Sequence, residues 1–111
     1  GFSEGLTTIK TVKGEIIKVK TDSKPLKIVH YSIRPEIINL VNENETYTNI
    51  IKGKIRNIIF LGDIYMGEFI TEKEEVFRIK LGVKEYQKLE LSKDMFIGWN
   101  EHDGILLNEY N

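Results

Sequence analysis

The sequence predicts an all-β domain of about seven to eight short strands with at most one short helical turn. Three observations carry this. Apolar residues recur at every second position, the period of a strand and not of a helix. Polar turn segments separate these runs at short intervals. One run, residues 50–61, is too long to lie flat in so small a domain and is expected to coil around a barrel.

Taken in order, Ile17 and Val19 alternate with Lys18 and Lys20, which gives one apolar and one solvated face. The polar segment 21–25 joins this strand to the next, which includes Ile28, Val29, His30 and Tyr31. Residues 42–46 read as a loop. The long run places Ile51, Ile55, Ile59 and Leu61 on one parity and Lys52, Lys54 and Arg56 on the other. Ile58 and Phe60 break the polar parity near its end, and Gly53 is a candidate bend. Gly62 and Asp63 end the run, and residues 72–75 make a hairpin connection. Phe77, Ile79 and Leu81 then alternate with Arg78 and Lys80. Residues 83–91 read either as one or two helical turns or as a loop ending in a strand. Met95, Ile97 and Trp99 alternate with Phe96 and Gly98, and polar turns fall at 92–94 and 101–104. There is no internal repeat and no low-complexity segment.

With 111 residues, 41% hydrophobic and 30% charged, the chain suits one globular domain and not a disordered segment. It contains no cysteine, which excludes disulfides and thiolate metal sites. The formal net charge of −1 argues against a dedicated nucleic-acid binder. Residues 1–30 carry +3 and the remainder −4, an asymmetry that solvated strand faces explain. No apolar run approaches the roughly 18–20 residues of a membrane span. The chain does not begin with Met, and residues 1–5 read as a cut end or linker preceding a domain over 6–111.

The motifs that could carry chemistry are incomplete. Gly62 and Gly67 have the glycine spacing of a phosphate-binding loop, but Glu68 and Phe69 stand where Lys and a hydroxyl residue are needed. Asp63 and Glu68 would repel phosphate. His30 and His102 are far apart and lack a second ligand at metal-binding spacing, so no metal site is expected. Ser3, Ser23, Ser32 and Ser92 lack a nucleophile elbow, and Glu74 with Glu75 reads as a solvated turn. No catalytic residue is assigned. Tyr31, Phe60, Tyr65, Phe69 and Phe77 are candidates for stacking on single-stranded nucleic acid, although core packing is the simpler reading for Phe69 and Phe77.

One constellation is more specific. Tyr31-Ser32-Ile33-Arg34-Pro35-Glu36-Ile37-Ile38-Asn39-Leu40 joins two apolar runs through Arg34-Pro35-Glu36, where proline must break a strand ladder. Phe60-Leu61-Gly62-Asp63 follows, then strands over 65–71 and 75–81, then Met95-Phe96-Ile97-Gly98-Trp99 and an apolar close at Gly104-Ile105-Leu106-Leu107. This order resembles the transport-associated OB (TOBE) domain at the C-terminus of ABC importer ATP-binding subunits, with the spermidine/putrescine type most similar. Residues 10–20 resemble the strand that opens that domain. The resemblance covers roughly residues 6–108.

The resemblance implies an OB-like barrel whose signature residues are structural: Arg34, Pro35, Glu36, Phe60, Leu61, Gly62, Asp63 and Trp99. It implies a regulatory and dimerisation role with no cofactor bound in this fragment. ATP and Mg would belong to the parent subunit's missing ATPase domain. Expected partners are a second copy, the ATPase domain of the same chain and, indirectly, the transporter's membrane subunits, with no nucleic acid. The expected location is cytoplasmic, peripheral at the inner face of the cell membrane. The alternatives are an independent OB module that binds single-stranded nucleic acid and a small-ligand sensor.

Overall fold

The structure is a computed structural model and describes residues 2–3, 5–21, 29–42 and 44–108. The expected connection at 21–25 and strand residue Ile28 fall, apart from Thr21, outside the described residues. The fold is all-β, as expected. Eight strands of four or more residues are described: β2 (Leu6–Lys10), β3 (Ile16–Lys20), β4 (Val29–Ser32), β6 (Asn49–Phe60), β7 (Tyr65–Thr71), β8 (Val76–Leu81), β9 (Met95–Trp99) and β10 (Ile105–Asn108). Two-residue strands β1 (Phe2–Ser3) and β5 (Asn39–Leu40) and one helix, α1 (Val83–Lys88), complete the described set. The ambiguous stretch 83–91 therefore opens as a helix and ends in a turn.

All pairings are antiparallel. One sheet has the order β1-β2-β3, a second pairs β10 with β4, and a third has the order β5-β9-β6-β7-β8. The third curls into a half-barrel, compatible with a small OB-like barrel. Its concave face holds Ile51, Ile55, Phe69, Phe77, Ile79, Leu81, Ile97 and Trp99, and β3 adds Ile17 and Val19 to the same core. The period of two thus reports the core faithfully in β3, β8 and β9.

Hydrogen bonds outside the ladders also join the sheets. The amide of Asn49 accepts from the Lys18 N–H at 2.8 Å and donates to the Lys18 carbonyl at 2.9 Å, tying β3 to β6. The Lys20 N–H donates to the Glu101 carbonyl at 2.7 Å, and the Lys80 N–H donates to the Pro35 carbonyl at 3.2 Å. Asn49 is buried, which suits a side chain that stands in for a missing strand.

The long strand departs from the expected parity. β6 and β7 pair Ile55 with Phe69 and then Asn57 with Glu68, so Arg56 is an extra residue, a β-bulge. The bulge reverses the faces beyond it. Ile58 and Phe60 join the concave side, while Ile59 and Leu61, expected to share a face with Ile51 and Ile55, lie on the outer side. Glu68 pins the bulge: its Oε1 accepts from Asn57 Nδ2 at 2.8 Å and from Arg56 Nε at 3.3 Å. These bonds hold the Glu68 carboxyl below the usual carboxylate range. Gly53 pairs with both Thr71 and Met95, and a Cβ there would lie 2.2 Å from the Ile70 carbonyl oxygen. Its role is close backbone approach.

Residues 10–20, read as one opening strand, are instead a hairpin turning at Thr11-Val12-Lys13-Gly14-Glu15. The turn at Thr71-Glu72-Lys73-Glu74-Glu75 repeats it in sequence and in bonding. In each, the Thr N–H donates to the last Glu carbonyl at 2.9 Å, and the fourth residue's N–H donates back to the Thr carbonyl at 2.9 Å. The Thr hydroxyl accepts from the last Glu N–H at 2.9 Å in the first turn and 3.0 Å in the second. Lys73 Nζ donates to the Gly14 carbonyl at 2.9 Å, which brings the two turns side by side. The fourth position is left-handed in both, with φ of 100° at Gly14 and 69° at Glu74. Only glycine takes this conformation without cost. Replacing Glu74 by glycine is therefore expected to stabilise the domain by about 0.5–1 kcal/mol, read as a higher urea midpoint at unchanged slope.

Candidate interaction surface

The eight signature residues fall in three places. Trp99 is fully buried, its ring 5.3 Å from that of Phe77. Its Nε1–H donates to the Tyr31 hydroxyl at 2.7 Å, tying β9 to β4. Arg34, Pro35, Glu36 and Ile37 form a β-turn closed by the Ile37 N–H on the Arg34 carbonyl at 3.0 Å. Proline occupies the second turn position, which suits its fixed φ. The structural work here belongs to backbone carbonyls, since the Arg34 and Glu36 side chains are exposed and form no ion pair with each other among the described residues.

Phe60, Leu61, Gly62 and Asp63 make the tip of the β6–β7 hairpin. The Leu61 N–H donates to the Ile64 carbonyl at 2.8 Å, and Gly62 has φ 99°, as a two-residue loop with glycine first requires. Gly67, the other glycine of the phosphate-loop spacing, lies in β7 against Ile55, Ile79 and Leu81.

Register brings the last two places to one end of the half-barrel. Pro35 bonds Lys80, Lys80 pairs with Met66, and Met66 pairs with Ile59. The Arg34–Glu36 turn and the hairpin tip are thus three strand spacings apart, about 14 Å. Helix α1 follows β8 at this same end. Its Tyr86 stacks on Tyr65 with ring centroids 3.8 Å apart and planes at 1°, and Phe60 lies 4.8 Å from Tyr65.

This end carries several exposed apolar side chains, as do other parts of the described surface, Ile105 and Leu107 among them. Ile59 is 63% exposed, Phe60 56%, Leu61 52%, Val83 50% and Leu91 57%. Contiguous apolar patches mark interaction sites more often than scattered apolar residues do. Beside β6, a groove of about 610 Å³ is lined by Arg56, Ile58, Phe60, Tyr86, Gln87 and Leu91, among others. Sequence reasoning singled out Phe60 through Asp63 but missed Tyr86 and Leu91. Their only sequence signal is that of large apolar residues in a polar stretch.

A larger cleft of about 730 Å³ lies elsewhere, between the ends of β2, β4 and β8, with Ile9, Lys10, His30, Tyr31 and Phe77 in its walls. Its floor is the core. Burial pushes the Tyr31 pKa up to about 12, against the opposing effect of the Trp99 bond. The folded state keeps the phenol proton where the unfolded chain, near 10, begins to lose it. This contribution to stability is intact below about pH 10 and is lost as pH rises towards 12. Urea titrations across that window are expected to show falling stability, with a flatter slope in Tyr31→Phe.

His102 Nε2 lies 3.5 Å from Asp103 Oδ1, mostly solvated. Among the described residues, no three His, Asp or Glu side chains are gathered to hold a metal ion. No helix among them is long and apolar enough to cross a membrane.

These features define an all-β domain with a filled core and, at the end that bears the β6–β7 tip, several exposed apolar side chains. The chain matches no protein-family model, and the curated proteins include no match to it.

Proposed function

We propose that this chain is a non-catalytic interaction domain, and more particularly the C-terminal accessory domain of an ABC importer's ATP-binding subunit, of the transport-associated OB type. The observation that carries the general reading is the convergence of the Arg34–Glu36 turn, α1 and the Phe60–Asp63 tip on one end, which bears several exposed apolar side chains. Two of the three landmark groups of the resemblance are thereby surface features of a single face. The transporter assignment rests on the order of those landmarks along the chain. In this reading the domain docks on the ATPase domain of its own chain or on a second copy. It holds the subunit in its dimer beneath the membrane proteins, peripheral to the membrane, and ATP with Mg is bound and hydrolysed by the ATPase domain.

Isothermal calorimetry with Mg-ATP tests the absence of nucleotide chemistry. The expected result is no heat of binding. A micromolar dissociation constant would overturn the reading, since a chain that binds nucleotide tightly by itself needs no separate ATPase domain.

A further inference from the structure

We propose that the groove beside β6 takes an extended, uncharged peptide segment of a partner protein, adding it as a strand to the free edge of β6. The inference rests on the reading of the chain as an interaction domain, and not on its assignment to a transporter. It starts from the ladder. β9 pairs with β6 only as far as Met95 opposite Gly53, and the Ser92 N–H then caps the Ile55 carbonyl at 3.1 Å. From there to Phe60, β6 has β7 alone as a strand partner among the described residues.

The hairpin closure fixes which backbone groups are spare. Leu61 and Ile64 are a bonded pair, and bonded and non-bonded pairs alternate along an antiparallel ladder. Ile59 and Asn57 therefore bond to β7, while Ile58 and Phe60 turn their N–H and C=O groups outward. No other described residue bonds to these four groups. Two donors and two acceptors repeating at every second residue match a peptide backbone and little else.

The groove lies along this same edge, with Tyr86, Gln87, Leu89 and Leu91 on its far wall. An added strand would turn alternate side chains onto the Phe60–Tyr65–Tyr86 rings. The charge balance selects the occupant. Arg56 is the one charged side chain in the lining, and Glu68 already pairs with it at 3.3 Å. With no spare cation, a phosphate backbone gains nothing here, whereas an uncharged apolar strand loses nothing. Beyond the Arg56 bulge the edge carries none of the side chains that blunt strand addition: residues 57–61 contain no Lys, Glu or Pro.

The test follows amide exchange in the ¹⁵N-labelled chain as an end-capped heptapeptide of alternating valine and threonine is added. A second peptide has the same sequence but is N-methylated at alternate residues, which removes its strand bonds and keeps its side chains. The expected result is that exchange at Ile58 and Phe60 slows about tenfold or more with the first peptide and is unchanged with the second. Tyr86→Ala, an exposed change, should weaken the first peptide severalfold without altering the fold.

Unchanged exchange at both amides, or equal effects of the two peptides, would overturn strand addition. So would protection by a short thymidine oligonucleotide in place of the peptide, which would transfer the site to single-stranded nucleic acid. Because a loss of strand addition leaves the calorimetric test untouched, its failure is distinguishable from failure of the function proposed above.

Discussion

Replacing Trp99 by alanine is expected to cost about 3–5 kcal/mol, a large part of the roughly 5–15 kcal/mol that holds a domain of this size folded. Trp99 is the largest of the fully buried side chains among the described residues. It packs on Phe77 from one sheet and bonds to Tyr31 from another. The substitution therefore opens a cavity and strands the Tyr31 hydroxyl at once. Trp99→Phe separates the two losses. It keeps most of the packing and gives up the hydrogen bond, so its expected cost is about 1–3 kcal/mol. Urea denaturation followed by circular dichroism reads both variants. A shift for Trp99→Ala no larger than that for Trp99→Phe would mean that the hydrogen bond, and not packing, accounts for most of what Trp99 contributes.

The second large effect is expected at Asn49. Leucine there is close to asparagine in shape and cannot bond, so the Lys18 N–H and carbonyl lose their partner together. Roughly 1–3 kcal/mol is expected for each group that water cannot reach. The location of the damage matters as much as its size. Hydrogen exchange of the Lys18 amide should accelerate in Asn49→Leu while that of the β6–β7 ladder keeps its rank order. A uniform acceleration would mean that Asn49 acts as ordinary core filling and not as the link between β3 and β6.

Much of this architecture is legible from residue patterning. Ile17 with Val19, and Phe77 with Ile79 and Leu81, mark buried faces because a strand's period of two is a local property. The stretch from Met95 to Trp99 does the same. What patterning misses is non-local. The Arg56 bulge is visible only when β6 is laid against β7, and it alone sends Ile59 and Leu61 outward. Asn49 carried a signal that went unread: it shares its parity with Ile51 and Ile55, so a polar side chain stood on an apolar face. The two Thr-x-Lys-x-Glu turns were present as short similar strings, too brief to register as a repeat until their hydrogen bonds proved alike.

The interaction surface was half legible. Phe60 through Asp63 and Arg34 through Glu36 were marked by resemblance as structural elements. Their backbones make turns: the Pro35 carbonyl accepts from the Lys80 N–H of β8, and Gly62 takes the left-handed position of the hairpin loop. Their side chains are another matter, since those of Arg34, Phe60 and Leu61 are exposed. Spacing along the chain could not reveal that the two motifs share one end of the sheet, because three strand pairings stand between them. Tyr86 joined them only through the placement of α1.

The central claim is that this domain serves an ATPase encoded with it. The measurement that bears on it most directly is the sequence of the gene immediately upstream of the codon for Gly1. The account predicts, in the same reading frame, a phosphate-binding loop ending in Gly-Lys followed by Ser or Thr, and beyond it an ABC signature. An in-frame stop codon or an unrelated domain at that place would contradict it.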